Sequence, residues 1–196
     1  FDASLDSFAF SLLDLTLRNR LLDARDGRLL VTLAGVDAIA LAAERYDGTE
    51  PVVDPMCGSG TFLIEAALMA ADVAPGLLRR RFGFERWQQH QPAIWAELRE
   101  EALARRRPEA VSPGRFRGYD RDQGAIRAAL ANSGRCGVGD QIAFERRDLA
   151  QCRKADEPHG LVLVNPPYGV RLEDLATLEE TYALLGTRLM ECFAGW

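Results

Sequence analysis

The chain has 196 residues, 47% of them hydrophobic and 27% charged, with 24 basic against 29 acidic side chains, enough for one globular domain or two small ones. Its longest apolar runs, 29–33 and 38–43, fall far short of the roughly 20 residues that cross a bilayer; Asp2 and Asp6 stand where a secretory signal carries basic charge. From these two features the expectation is a cytoplasmic protein with no membrane partner, and a formal net charge of -5 argues against gripping nucleic acid through overall basicity.

The first 50 residues are the least regular. Asp26 and Gly27 lie between apolar segments like a hairpin turn, and 36–46 has the pattern of an amphipathic helix; residues 1–35 are left as an N-terminal segment without an assigned structure, and 36–196 as the domain proper. From about residue 50, short apolar runs ending in polar or glycine-rich turns alternate with longer amphipathic stretches, the pattern of βα units. Strands are predicted at 51–54, 115–119, 141–147 and 161–164, and helices at 61–71, 122–132 and 172–193. Four strands alternating with helices imply an α/β fold with a doubly wound, mostly parallel sheet.

Between the first two strands, 75–113 is too long for a simple connection. It reads as a basic helical insertion, with a helix over 92–107 whose Trp95, Leu98 and Leu103 face the core, and with Trp87 also taken as core packing. The run Arg79, Arg80, Arg81 and the run Arg105, Arg106, Arg107 lie inside it, and ten arginines against five glutamates between Arg79 and Arg117 make one basic stretch in an acidic body. Lys154 is the only lysine; arginine favours forked contacts to phosphate, although a GC-rich coding sequence produces the same bias.

Cys57, Cys136, Cys152 and Cys192 are too widely spaced for a CxxC zinc site or a compact disulfide framework and read as free thiols. His90 and His159 are the only histidines and lack zinc-enzyme spacing, so no metal site is expected.

Two motifs carry chemistry. Asp54, Pro55, Met56, Cys57, Gly58, Ser59, Gly60 and Thr61 sit where the first strand turns into a helix, and glycines there let a ligand lie against the strand end and the helix N-terminus. A nicotinamide fingerprint needs a third glycine where this chain has Leu63, and the P-loop lysine is missing. Asn165, Pro166, Pro167, Tyr168 and Gly169 follow the fourth strand, and two prolines stiffen the turn and remove two backbone donors. Such a turn can aim the Asn165 amide oxygen and the Pro166 carbonyl at the hydrogens of a planar amino group, with Tyr168 stacked on the ring that bears it.

In this order and at these strand ends, the two motifs resemble those of S-adenosylmethionine-dependent methyltransferases that modify exocyclic amino groups. Asp54, Pro55 and Cys57 resemble the nucleic-acid branch; protein glutamine methyltransferases usually carry a DxGTGSG-like first motif. Pro75, Gly76 and Leu77, then Trp87, Ala93 to Trp95, Gly118 to Asp120, Asp148 and the closing Phe193 to Trp196 extend the likeness to the bacterial RlmL type, which methylates guanine N2 in 23S ribosomal RNA and often forms half of a bifunctional RlmKL enzyme. The likeness covers about residues 50–196. It implies a Rossmann-like class I methyltransferase fold, S-adenosylmethionine as cofactor, ribosomal RNA as partner, and a longer chain with RNA-binding and further methyltransferase parts. That fold normally has seven strands, so the chain is expected to be a fragment.

Carried over by position, the resemblance assigns Asp54, Pro55 and the loop from Cys57 through Gly58, Ser59 and Gly60 to Thr61 to the methionine end of the cofactor. Asp120 would accept from the ribose hydroxyls, and Asp148 would bind the adenine amino group, its other reading being a solvated turn aspartate. Asn165, Pro166, Pro167 and Tyr168 would be catalytic, with Asn165 also beside the cofactor, and the arginine runs would contact RNA. Asp122 reads as a helix N-cap; Glu65 reads as either a supporting or a solvent-facing carboxylate. The rival readings are another amino methyltransferase, acting on adenine, DNA or protein glutamine, and a non-catalytic RNA-binding scaffold of the same fold.

Overall fold

Val52 and Val53, both fully buried, begin the sheet, because β-branched side chains covered on both faces suit the centre of a parallel sheet. The computed structural model describes residues 29–31, 50–74, 76–154, 156–167 and 175–196. The strands are β1 (Leu29–Val31), β2 (Val52–Asp54), β3 (Phe116–Asp120), β4 (Ile142–Arg146) and β5 (Leu161–Val164), and the helices α1 (Thr61–Ala70), α2 (Pro92–Ala104), α3 (Gln123–Cys136) and α4 (Leu175–Cys192). All pairings are parallel, in the order β1-β5-β2-β3-β4. The order reverses between β2 and its neighbours β3 and β5, the switch point where open α/β sheets bind ligands.

Four strands fall where the sequence predicts them, within a residue or two. β1 is a fifth, not anticipated: Leu29, Leu30 and Val31 pair with Val162, Leu163 and Val164. Three residues are too few to show alternation. The turn expected at Asp26 and Gly27 and the helix expected over 36–46 lie outside the described residues.

Each face of the sheet has its own core. On one, α1 and α3 cover Phe116, Ile142 and Leu163 with Leu63, Ala67 and Ile126. On the other, Val53, Tyr119 and Val162 meet Phe193 and Trp196 from the turn that follows α4. A Cβ on Gly160 would stand 2.5 Å from the Trp196 ring, and Trp196 Nε1 donates to the Glu157 carbonyl at 3.2 Å, so the closing Phe193 to Trp196 segment locks the entry to β5. α3 begins at its predicted cap: Asp122 accepts from the Gly124 N–H at 2.6 Å. All four cysteines are free thiols. Among the described residues no helix is long and apolar enough to cross a membrane.

The insertion departs from expectation. α2 ends at Ala104, so Arg105 to Arg107 lie beyond it, ahead of Pro108, which disfavours helix in the residue before it. No residue of α2 is buried, Leu98 is 51% exposed and Leu103 48%, and Trp87 is 69% exposed. These side chains are therefore not core. Trp95 is half-buried against its own segment, edge-on to Phe82 and Phe84 at 5.2 and 4.9 Å.

Candidate active site

The loop leaving β2 is held by backbone donors. The buried Asp54 carboxylate, 2% exposed, accepts the Met56 N–H at 3.0 Å. Cys57 N–H donates to the Tyr119 carbonyl at 2.9 Å and Gly60 N–H to the Cys57 carbonyl at 2.8 Å. Gly60 caps α1 at φ 82°, where a Cβ would lie 2.7 Å from the Phe144 ring and 3.0 Å from Ala129; only glycine fits both the angle and the space. Gly58, at φ 53°, is in open surroundings, since a Cβ there would meet nothing within 4 Å. Asn132 donates to the Ser59 carbonyl at 3.0 Å, and the Ser59 and Thr61 hydroxyls are 3.3 Å apart.

Asp120, the last residue of β3, joins this loop to the next strand end. Its Oδ2 accepts the Gly58 N–H at 3.0 Å and its Oδ1 the Asp122 N–H at 2.9 Å. Asp148, just after β4, accepts the Ala150 N–H at 2.9 Å and so opens a single helical turn. Asp120 and Asp148 face one cleft of about 120 Å³, walled also by Pro55, Met56, Arg121, Leu149, Pro167, Thr181 and Leu184. Burial, reinforced by the Asp120 charge and opposed by the Met56 N–H, raises Asp54 to about 7. Burial holds the Cys57 thiol far above its usual range and pushes Cys152 up to about 12, so neither is a thiolate nucleophile at neutral pH.

The β5 end contributes an acceptor with no partner. Asn165 Oδ1 is buried and makes no hydrogen bond among the described residues, while Pro166 beside it is fully buried and Pro167 reaches the cleft wall. An unsatisfied buried polar atom costs about 1–3 kcal/mol; Gln141 Oε1 and Arg188 Nε are in the same state, and of the three only Asn165 follows the C-terminal end of a strand, close to the cleft-wall residue Pro167.

The first-motif residues thus divide: Pro55 lines the cleft, Asp54, Cys57 and Gly60 are buried, and Gly58, Ser59 and Thr61 form the turn into α1. Tyr168 lies outside the described residues. Glu65 is half-buried, its carboxyl raised by burial, and is not part of the cleft wall. None of the six arginines of the two runs lines the cleft. Arg79 sits over the Phe82 ring at 5.2 Å and Arg105 is 3.4 Å from Asp72, while Arg80, Arg81, Arg106 and Arg107 are exposed. Sequence reasoning named Met56 within its first motif but gave it no role, and it missed Arg121, Leu149, Thr181 and Leu184. Arg121 and Leu149 adjoin residues it did select, but nothing local places α4 beside β5.

A strand-end cleft walled by Asp120 and Asp148, with the glycine turn after β2 and the partnerless Asn165 oxygen after β5 outside its walls, agrees with the match of residues 19–196 to the RMKL-like methyltransferase domain. The chain belongs to this family. It is 49% identical over 146 residues to the ribosomal RNA large subunit methyltransferase K/L of Allochromatium vinosum and 49% over 150 residues to that of Cellvibrio japonicus. Each alignment covers 74% of this chain, which spans about a fifth of the length of each of these relatives. Among solved structures it resembles the protein SMU.472 complexed with SAH, with a TM-score of 0.70, 31% identity, and coverage of 78% of this chain and 40% of that one. A predicted N6-adenine-specific DNA methylase from Listeria monocytogenes str. 4b F2365 gives a TM-score of 0.71, 34% identity, and coverage of 80% and 40%.

The RMKL-like domain takes S-adenosylmethionine as its cofactor, and the donor set here fits it. The cofactor carries positive charge on its sulfonium and amino group, and the acidic side chains Asp120 and Asp148 stand in the cleft wall, whereas Asp54 is buried outside that wall with its carboxyl raised to about 7.

Proposed function

We propose that this domain, within a longer protein, transfers a methyl group from S-adenosylmethionine to the exocyclic N2 of a guanine in 23S ribosomal RNA. Bound S-adenosylmethionine supplies an electrophilic methyl group on a positively charged sulfur. Asp120 would hold the ribose hydroxyls, Asp148 the adenine amino group, and Asp54 with the Cys57 to Thr61 loop the methionine end. The observation that carries the reading is the Asn165 amide oxygen, buried at the β5 end without a partner. Together with the Pro166 carbonyl it would accept the two hydrogens of an amino group, localising the nitrogen lone pair toward the methyl carbon. No strong base is required: the N–C bond forms as the S–C bond breaks, and the amino proton is lost to solvent. Tyr168 is assigned the stacking role against a guanine flipped from its strand, at a cost of a few kcal/mol that is least in unpaired RNA. Catalysis is then mostly positioning.

Support for ribosomal RNA comes from the names of the K/L relatives and from the Asp54, Pro55 and Cys57 pattern. The exposed arginines at 80, 81, 106 and 107 would contact RNA outside the cleft. The reading is tested by transfer of a labelled methyl group, using the full-length protein with unmodified ribosomal RNA, DNA and a release factor. Label in N2-methylguanosine of the RNA is expected; label only in adenine or in the release factor would replace this substrate with a rival.

A further inference from the structure

Among the described residues the two faces of the sheet are covered unequally. α1 and α3 lie over Phe116, Gly118, Ile142 and Phe144, whereas on the opposite face the cover from α4 and its closing turn reaches only as far as Tyr119. Beyond it, Ala143 and Glu145 of β4 are exposed and Arg117 of β3 is half-exposed. A cleft of about 320 Å³ opens over this strip, walled by Arg117, Tyr119, Glu145, Arg147, Arg153 and Lys154. It holds four cations and one carboxylate, and that carboxylate is already taken: Arg147 forks onto Glu145 at 3.3 and 2.7 Å.

The cations are held to different degrees. Arg147 lies over the Tyr119 ring at 4.5 Å, and Arg117 Nε donates to the Gly114 carbonyl at 3.0 Å. Arg153 and Lys154 are exposed. The following Asp156 and Glu157 do not line the cleft. Tyr119 and Arg147 wall this cleft while their chain neighbours Asp120 and Asp148 wall the cofactor cleft, so the two clefts adjoin across the ends of β3 and β4.

We propose that this basic groove holds the phosphate backbone of the RNA substrate, leading a strand past the adenine end of the cofactor cleft. The proposal rests on the RNA methyltransferase reading above. A polyanion offers repeated negative charge to forked guanidinium groups, which a single carboxylate does not, and the groove borders the cleft where transfer would occur.

The test compares the full-length protein with its Arg153→Gln/Lys154→Gln variant, reading binding to an unmodified 23S ribosomal RNA fragment across a salt series, steady-state transfer, and S-adenosylmethionine affinity by calorimetry. The variant is expected to bind RNA several-fold more weakly, with a salt slope shallower by about 1 for each phosphate no longer neutralised. KM for RNA should rise, with kcat at saturating RNA and cofactor affinity unchanged. RNA affinity and salt slope equal to the unsubstituted protein's would overturn the groove as an RNA site. A lowered unfolding midpoint with unchanged RNA affinity would overturn it in favour of a purely structural role for the two cations. An unsubstituted protein that methylates no ribosomal RNA would instead refute the underlying reading, an outcome seen without the variant.

Discussion

The strand ends around the proposed cofactor cleft and the insertion at 76–113 are built on opposite principles. At the strand ends nearly every polar group has a fixed partner: Asp54 with Met56, Asp120 with Gly58 and Asp122, Asp148 with Ala150. The insertion has a helix with no buried residue, its apolar side chains half open to solvent. Under the proposed function the contrast separates two demands on the same chain: transfer needs atoms held in place, while contact with a long flexible polyanion needs charge on a surface.

Substitutions can break this contrast or sharpen it. The largest effect is expected at Asn165: Asn165→Ala should lower kcat for methyl transfer by roughly 10³, the scale of losing one positioned polar group in a reaction centre. Cofactor affinity measured by calorimetry should stay nearly intact, and equal loss of both would remove the separation of roles within the site.

Next in size is Gly60→Ala, which forces a side chain into the Phe144 ring at a φ of 82° and should destabilise the domain by about 2–4 kcal/mol in urea unfolding. Gly58→Ala, in the same loop with space around it, should cost only about 1 kcal/mol. Equal effects would mean that the close packing of the loop on β4 is not what fixes its shape.

Asp54 gives a pH signature. Its folded value of about 7 lies above the ordinary 3.8, so between these limits the folded protein retains a proton that the unfolded chain has released. Stability from this group is therefore present below about pH 4, falls as pH rises toward 7 by up to about 1.4 kcal/mol per pH unit, and is flat above. Asp54→Asn should flatten that part of the profile, measured as unfolding midpoints between pH 4 and 8; an unchanged profile would contradict the burial assigned to this carboxyl.

The smallest effect belongs to the insertion. Leu98→Ala on exposed α2 should change stability by no more than about 0.5 kcal/mol, and Arg80→Glu/Arg81→Glu should weaken RNA binding without altering cofactor affinity. A fall in cofactor affinity in the arginine variant would erase the distinction between the two regions.

The strand ends were legible because their signals are local. A short apolar run followed by glycines or by Asn165, Pro166 and Pro167 identifies both the strand and the turn, and a polar residue at the strand end is brought to the switch point by topology alone. The insertion was misjudged for a physical reason. Trp95, Leu98 and Leu103 sit at or near helical spacing, and that spacing is the same whether a helix face is covered by a core or left open. β1 was missed because three residues show no period, and its strand character comes from pairing with Leu161–Val164, far away in the chain. Thr181 and Leu184 reach the cleft only because α4 folds back over the β5 end. Likewise Arg117 and Arg147 are brought to one groove by the pairing of β3 with β4, and Arg153 and Lys154 join them from the connection between β4 and β5.

Methyl transfer to guanine N2 through Asn165 is tested most directly on the nucleosides of ribosomal RNA from a strain lacking the full-length gene, complemented with either the unsubstituted gene or Asn165→Ala, and read by mass spectrometry. N2-methylguanosine at one 23S position should be missing from the deletion strain, restored by the unsubstituted gene and not restored by the variant. Full restoration by Asn165→Ala, or a missing methyladenosine in place of N2-methylguanosine, would contradict it.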